Sequence, residues 1–221
     1  MVEKDRSIIV KKTYLLKMLT PLYQKNLENQ LSESQLLFLS LLINVLQDIQ
    51  EVSLEKIANA LPIPILFESR RQKIQRFLSL PILNIQEIWF PIIETWLTQN
   101  FRENQRIYLV IARTKWQRKN LIMSSLIYDK RAIPIYWEFL PRLGNSNFEE
   151  QSKIFSRLLG LFKKYQTVVL GDREFCSVKL ANWLREQEVQ FCLRLKKNEF
   201  IQNEDEIWHF LDSLGLKPGV S

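Results

Sequence analysis

Among the residues able to do chemistry, Asp172 has the most telling setting. It lies in the run Tyr165 to Phe175, YQTVVLGDREF. Thr167 to Leu170 is β-branched and apolar, too short for a helix and stopped by Gly171, so it reads as a buried strand. An acid directly after a strand stands where open α/β sheets hold their ligands. There it has the position to bind a metal ion. The plainer alternatives are a surface-loop carboxylate, or an N-cap for the helical pattern from Ser177 to Arg185. Other reactive groups are scarce. Cys176 and Cys192 are the only cysteines and His209 the only histidine, too few for a Cys/His zinc site and a poor basis for a Cys–His nucleophile.

Cations are the second set. The 221 residues carry a net charge of +7, with a pI near 9.4. Residues 1–104 contribute a net +1 and residues 105–221 a net +6, so basicity gathers in the half that holds Asp172. That balance favours a polyanionic partner. The segment RRQKIQR supplies Arg70, Arg71, Lys73 and Arg76, and a second cluster supplies Arg113, Lys115, Arg118 and Lys119. Each cluster reads either as a phosphate-contacting surface or as a solvated charged face.

The elements that must position these groups fall into two regions. From Tyr14 to about Phe101 the pattern is helical. Ser32 and Gln35 form a capping-box signature ahead of a helix from Glu33 to about Ile49, apolar on most sides and therefore central to a bundle. Ser53 caps a short helix through Ala60, Pro62 and Pro64 force a turn, and a basic helix runs from Phe67 to Leu78. Its apolar stripe is Phe67, Ile74, Phe77 and Leu78, with Gln72, Lys73, Gln75 and Arg76 opposite and Arg70 and Arg71 flanking. Residues 53–79 thus form a candidate helix-turn-helix. Pro81 to Gln99 continues helical, with Pro91 marking a break or a new start. Polar residues 100–105 mark the boundary.

Beyond it the period changes to that of strands. Ile107–Ile111, Leu121–Tyr128 and Ala132–Phe139 form an antiparallel meander, with Asp129–Lys130 as one tight connection and Lys119–Asn120 in the link before it. An amphipathic helix from Phe148 to Lys164, the Asp172 strand, its helix and a strand near Gln190 to Leu195 follow. The order βββαβαβ predicts an α/β fold with an RNase H-like core and a mixed sheet, preceded by an all-α N-terminal DNA-binding region. The domains expected are a helical region over 1–104, the core over 105–200 and a β-rich insertion beginning at 201–221. The amino terminus lacks the apolar core of a signal peptide, and the most apolar helical run, Leu36 to Leu46, is too short to span a membrane. These features predict a cytoplasmic protein with no membrane partner.

The phrases RIYLVIARTKW, PIYWEFLPRLGNSNFEEQ, VVLGDREF and QFCLRLKKN, in this order, resemble the core of bacterial cut-and-paste insertion-sequence transposases. The resemblance is to the DDE class, in the group named for insertion sequence four, whose RNase H-like core carries a β-rich insertion. FESRRQKIQRFLSLP is similar to the DNA-binding helical region of that family, and the likeness runs from about residue 10 to 221. It implies three catalytic acids that hold two Mg²⁺ ions for in-line attack on phosphate. The second acid maps onto Asp172, followed by Arg173 and Phe175. The first falls on Ala112, in Ile111-Ala112-Arg113-Thr114, and a methyl group ligates no metal. The third, on a late helix, has no counterpart up to Ser221, as though the chain were truncated within the insertion. Neither Glu138 nor Glu174 takes the first-strand position.

The resemblance therefore implies a transposase-family chain defective in catalysis, with Mg²⁺ binding doubtful. Its implied partner is double-stranded DNA at element ends, contacted through Arg70, Arg71, Lys73, Arg76, Arg113, Lys115, Arg118, Lys119 and Arg173. An intact transposase or a second copy is a further implied partner. Two alternatives stand beside it: an active metal-dependent nuclease or transposase that uses a reassigned acid or one from another chain, and a structural remnant that binds no DNA. Unpaired apolar strand edges near residues 190–221 are expected to favour association.

Overall fold

The computed structural model describes residues 19–141, 143–195, 200–202, 208–210 and 213. The start of the helical region at Tyr14, the Lys-Lys-Asn end of QFCLRLKKN and most of the expected insertion lie outside the described residues. The chain divides into two compact units after Asn100.

Every regular element described in the first unit is helical: α1 (Pro21–Glu28), α2 (Glu33–Ile49), α3 (Leu54–Ala60), α4 (Phe67–Leu78), and a π-turn, Ile85–Trp89, running into α5 (Phe90–Asn100). The capping box at α2 is formed on both sides: Ser32 Oγ accepts from Gln35 N at 3.4 Å, and Gln35 Oε1 accepts from Ser32 N at 2.9 Å. Gln50 ends the helix in the left-handed region at φ 51°. Why α2 is apolar on most sides is now plain, because it serves two cores. Phe38, Leu42 and Val45 pack with Ile57, Ala58, Leu61, Ile74 and Phe77 of α3, α4 and their link. Leu36 packs with Leu19, Leu27, Leu31 and Ile92. The Phe38 and Phe77 rings meet edge to face at 5.1 Å between centroids. Among the described residues no single helix is long and apolar enough to cross a membrane.

The second unit is α/β with a mixed sheet. Its strands are β1 (Arg106–Trp116), β2 (Lys119–Tyr128), β3 (Arg131–Leu140), β4 (Gln166–Gly171) and β5 (Gln190–Leu193), in the spatial order β3-β2-β1-β4-β5. β2 is antiparallel to both neighbours, whereas β4 runs parallel to β1 and to β5. The crossovers are α6 (Phe148–Leu158), extended by a 3-10 turn through Phe162, and α7 (Val178–Glu186). A separate two-stranded pairing joins β6 (Phe200–Gln202) to β7 (Trp208–Phe210).

Two details differ from the sequence reading. β1 does not stop at Ile111 but continues to Trp116, and Lys119 and Asn120 belong to β2, so the turn falls at Gln117–Arg118. Pairing Thr114 with Leu121 and Lys115 with Asn120 carries the ladder through polar positions, since backbone hydrogen bonds form regardless of side-chain polarity. The second turn is as expected: Asp129 and Lys130 both hold positive φ, 46° and 60°, the geometry of a tight hairpin turn.

Candidate active site and nucleic-acid contacts

The parallel pairing of β1 with β4 aligns Ile111 with Gly171, so the next residues, Ala112 and Asp172, sit side by side at the carboxyl ends of adjacent strands. Positions 60 apart in sequence become neighbours. The chain then turns sharply. Asp172 Oδ1 accepts from Glu174 N at 3.0 Å, and Phe175 N donates to Asp172 O at 3.1 Å, which returns the Phe175 ring to the core, where it is fully buried. Asp172 itself faces solvent, as does Ala112. Ser177 Oγ accepts from Leu180 N, so Ser177 and not Asp172 caps α7.

Glu174 is drawn away from Asp172. Arg113 Nε donates to Glu174 Oε1 and Oε2 at 2.7 and 2.6 Å, and the Glu174 side chain is only 11 % exposed. Ser146 donates to the same Oε1 from both its N and its Oγ, each at 2.8 Å. The remaining guanidinium nitrogens donate to Asn120 Oδ1 and Asn145 Oδ1, both at 3.3 Å. Asn120 Nδ2 donates to Gly144 O at 2.7 Å, and Gln151 Nε2 to Ser146 Oγ at 3.0 Å. This network ties the loop after β3 to the end of the sheet. Charge-assisted bonds of this kind are the stronger ones, and burial makes each partner necessary to the others. Asn120, Asn145, Ser146 and Gln151 carried no signal in the sequence, because their bonds form only once the loop after β3 has closed, Asn145 meeting Arg113 32 positions away and Ser146 meeting Glu174 28 positions away.

The donor set does not fit a two-ion Mg²⁺ site. Asp172 is a single carboxylate, Ala112 offers no donor, and both Glu174 oxygens are held by Arg113. Among the described residues no group of three His, Cys, Asp or Glu side chains gathers around a common point. Mg²⁺ requires carboxylate oxygens in near-octahedral arrangement. Glu138 is no substitute, since it is bound to Lys153 Nζ at 2.8 Å and Arg157 Nη1 at 2.9 Å on the flank of α6. Burial alone would raise the Glu138 carboxyl, but the Lys153 hydrogen bond and the Arg157 charge overcome it and hold it below its ordinary value. Burial also pushes the neighbouring Tyr136 phenol up.

The expected DNA-contacting cations divide into engaged and solvent-facing groups. Arg70 points back along its own helix: Nε donates to Ile65 O at 2.9 Å, and Nη1 reaches Leu61 O at 3.1 Å and Asn59 O at 3.2 Å. It closes the carbonyl end of α3. Arg71 reaches Glu55 at 3.5 Å. Arg113 is consumed by Glu174. Lys73, Arg76, Lys115, Arg118, Lys119 and Arg173 are exposed, with Lys73 Nζ 5.1 Å from the Phe38 ring centre and Lys119 Nζ 5.6 Å from that of Phe139. The link from Leu61 to Leu66 between α3 and α4 is six residues, longer than the usual three or four of a helix-turn-helix.

Comparison of the chain with known protein families and with curated proteins gives no match.

Proposed function

We propose that this chain is a double-stranded-DNA-binding protein of the insertion-sequence DDE transposase class whose own catalytic centre does not work. The observation that carries the reading is the strand-end pair: Ala112 stands beside Asp172 at the two positions where the family resemblance calls for acids. The strand order β3-β2-β1-β4-β5, with only β2 reversed, supports an RNase H-like core. The helical elements of residues 19–100, with Gln72, Lys73, Gln75 and Arg76 exposed along α4, support a DNA-binding region. If paired metal ions supplied about 5 kcal/mol of transition-state stabilisation, their loss would slow strand cleavage by roughly 10³–10⁴.

The test is a pair of measurements on labelled element ends. Gel shift is expected to show binding that weakens steeply between low and moderate salt, as for about four to six phosphate contacts. No cleavage is expected with Mg²⁺ or Mn²⁺. Metal-dependent cutting that disappears in Asp172→Ala would sink the inactive reading, and binding that ignores salt would sink the DNA reading. The internal engagement of Arg70, Arg71 and Arg113 favours one alternative, a structural protein with no nucleic-acid role. Absent binding at low salt would select it.

A further inference from the structure

Among the described residues the five-stranded sheet ends on β3 at one side and on β5 at the other. An open edge invites a further strand, and proteins ordinarily guard it. β3 is guarded. It carries Pro134, and its register with β2 shifts at Ser124/Ser125. β5 is not: its residues, QFCL, include no proline and no charge, and Phe191 is 39 % exposed beside an exposed Cys192. Arg194 N donates to Gly171 O of β4 at 2.9 Å. Backbone groups alternate sides along a strand, so those of Gln190 and Cys192 also face β4. Those of Phe191 and Leu193 face outward, where no described strand meets them.

This edge is complementary to itself. Turned antiparallel about Cys192, two copies bring Phe191 of each opposite Leu193 of the other, where both backbone bonds can be exchanged. Those apolar side chains then share one face of the paired strands. On the other face Arg194 comes opposite Gln190 and diagonal to Glu188, an exposed acid just before the strand. A register centred on Phe191 would instead need the Val189 N–H, which already donates to Leu184 O at 2.9 Å. We propose that β5 pairs antiparallel with β5 of a second copy, joining the two sheets across a two-fold axis. The two Cys192 residues then form a non-hydrogen-bonded pair, whose Cα separation of about 4.5 Å lies within disulfide range. The inference rests on neither DNA binding nor catalysis.

The test uses the full chain. Light scattering after size exclusion in reducing buffer is expected to show a dimer that grows with protein concentration. Phe191→Pro removes one outward N–H from each copy and should weaken the dimer about tenfold or more, with the circular dichroism melt retained. Arg194→Glu should weaken it too. Adding Glu188→Arg to Arg194→Glu should restore it, a rescue that a folding defect would not give. In Cys176→Ser, Cys192 is the only thiol, and diamide should link two copies through it, reversibly with dithiothreitol. A monomer at every concentration overturns the proposal. So does a dimer indifferent to Phe191→Pro and to the charge swap, or one that diamide fails to link through Cys192.

Discussion

At Gly171 an added methyl group has nowhere to go. A Cβ there would stand 2.8 Å from Leu193 Cδ2 and 3.0 Å from Phe175 Cβ, the latter fixed by a short turn. Gly171→Ala is therefore expected to cost about 1–3 kcal/mol, read by urea denaturation, whereas Gly160→Ala has open space and should not destabilise by packing. Arg113 and Glu174 make a second residue-scale prediction. Removing either partner leaves the other charge largely buried, so Arg113→Met or Glu174→Gln should each cost about 3 kcal/mol. The double variant should cost clearly less than the sum, and strict additivity in that cycle would refute the coupling. Glu138 supplies the pH dependence. Its folded pKa lies below its unfolded one, so its stabilisation is full above the unfolded value and lost as pH falls through the folded value. The melting difference between wild type and Glu138→Gln should be present at pH 7 and shrink as pH drops below about 4.5. An unchanged gap in acid would exclude this account. Ala112→Asp would set a second carboxylate beside Asp172, and Mn²⁺ is expected to raise the melting temperature of that variant but not of wild type.

Elements were legible where a local rule decides them. The bounds of α2, α3 and α4 follow from Ser32, Ser53, the two prolines and the apolar stripe, all readable within a few residues. The stripe itself is only half used: Ile74 and Phe77 are buried, while Phe67 and Leu78 are partly exposed at the helix ends. Arg70 shows the limit. On a helical wheel it flanks the basic face, yet its guanidinium serves carbonyls up to 12 positions upstream, because the loop from Leu61 folds those oxygens back to it. Arg70→Met should accordingly lower the melting temperature more than Arg76→Met does, a contrast that circular dichroism resolves. The hairpin turn at Asp129–Lys130 offers the reverse case. Both residues pay for positive φ, so Lys130→Gly should stabilise by up to about 1 kcal/mol. A loss of stability there would mean that the lysine side chain does more than cross the turn.

For the whole molecule, alternating strands and helices announced the α/β class, but the sheet order is a statement about distant pairings that no local pattern contains. The candidate site shares that property. Asp172 was visible as an acid at a strand end, whereas its isolation depends on where Glu174 turns and on what Arg113 grasps, both settled by closure of the loop at Gly144 to Ser146. The parallel register of β1 with β4 also has a kinetic consequence. The β1–β2 and β2–β3 ladders close across two-residue turns, while the partner of Ile111 lies 60 residues along the chain. Closing so long a loop costs more entropy before any contact repays it, so the meander should form first and the β4 pairing late. In pulsed hydrogen exchange during refolding, amides of β2 and β3 should gain protection ahead of those of β4. The neighbourhood of Asp172 is then among the last parts of the chain to exist, and until it does, the edge of β1 stays open to the wrong strand.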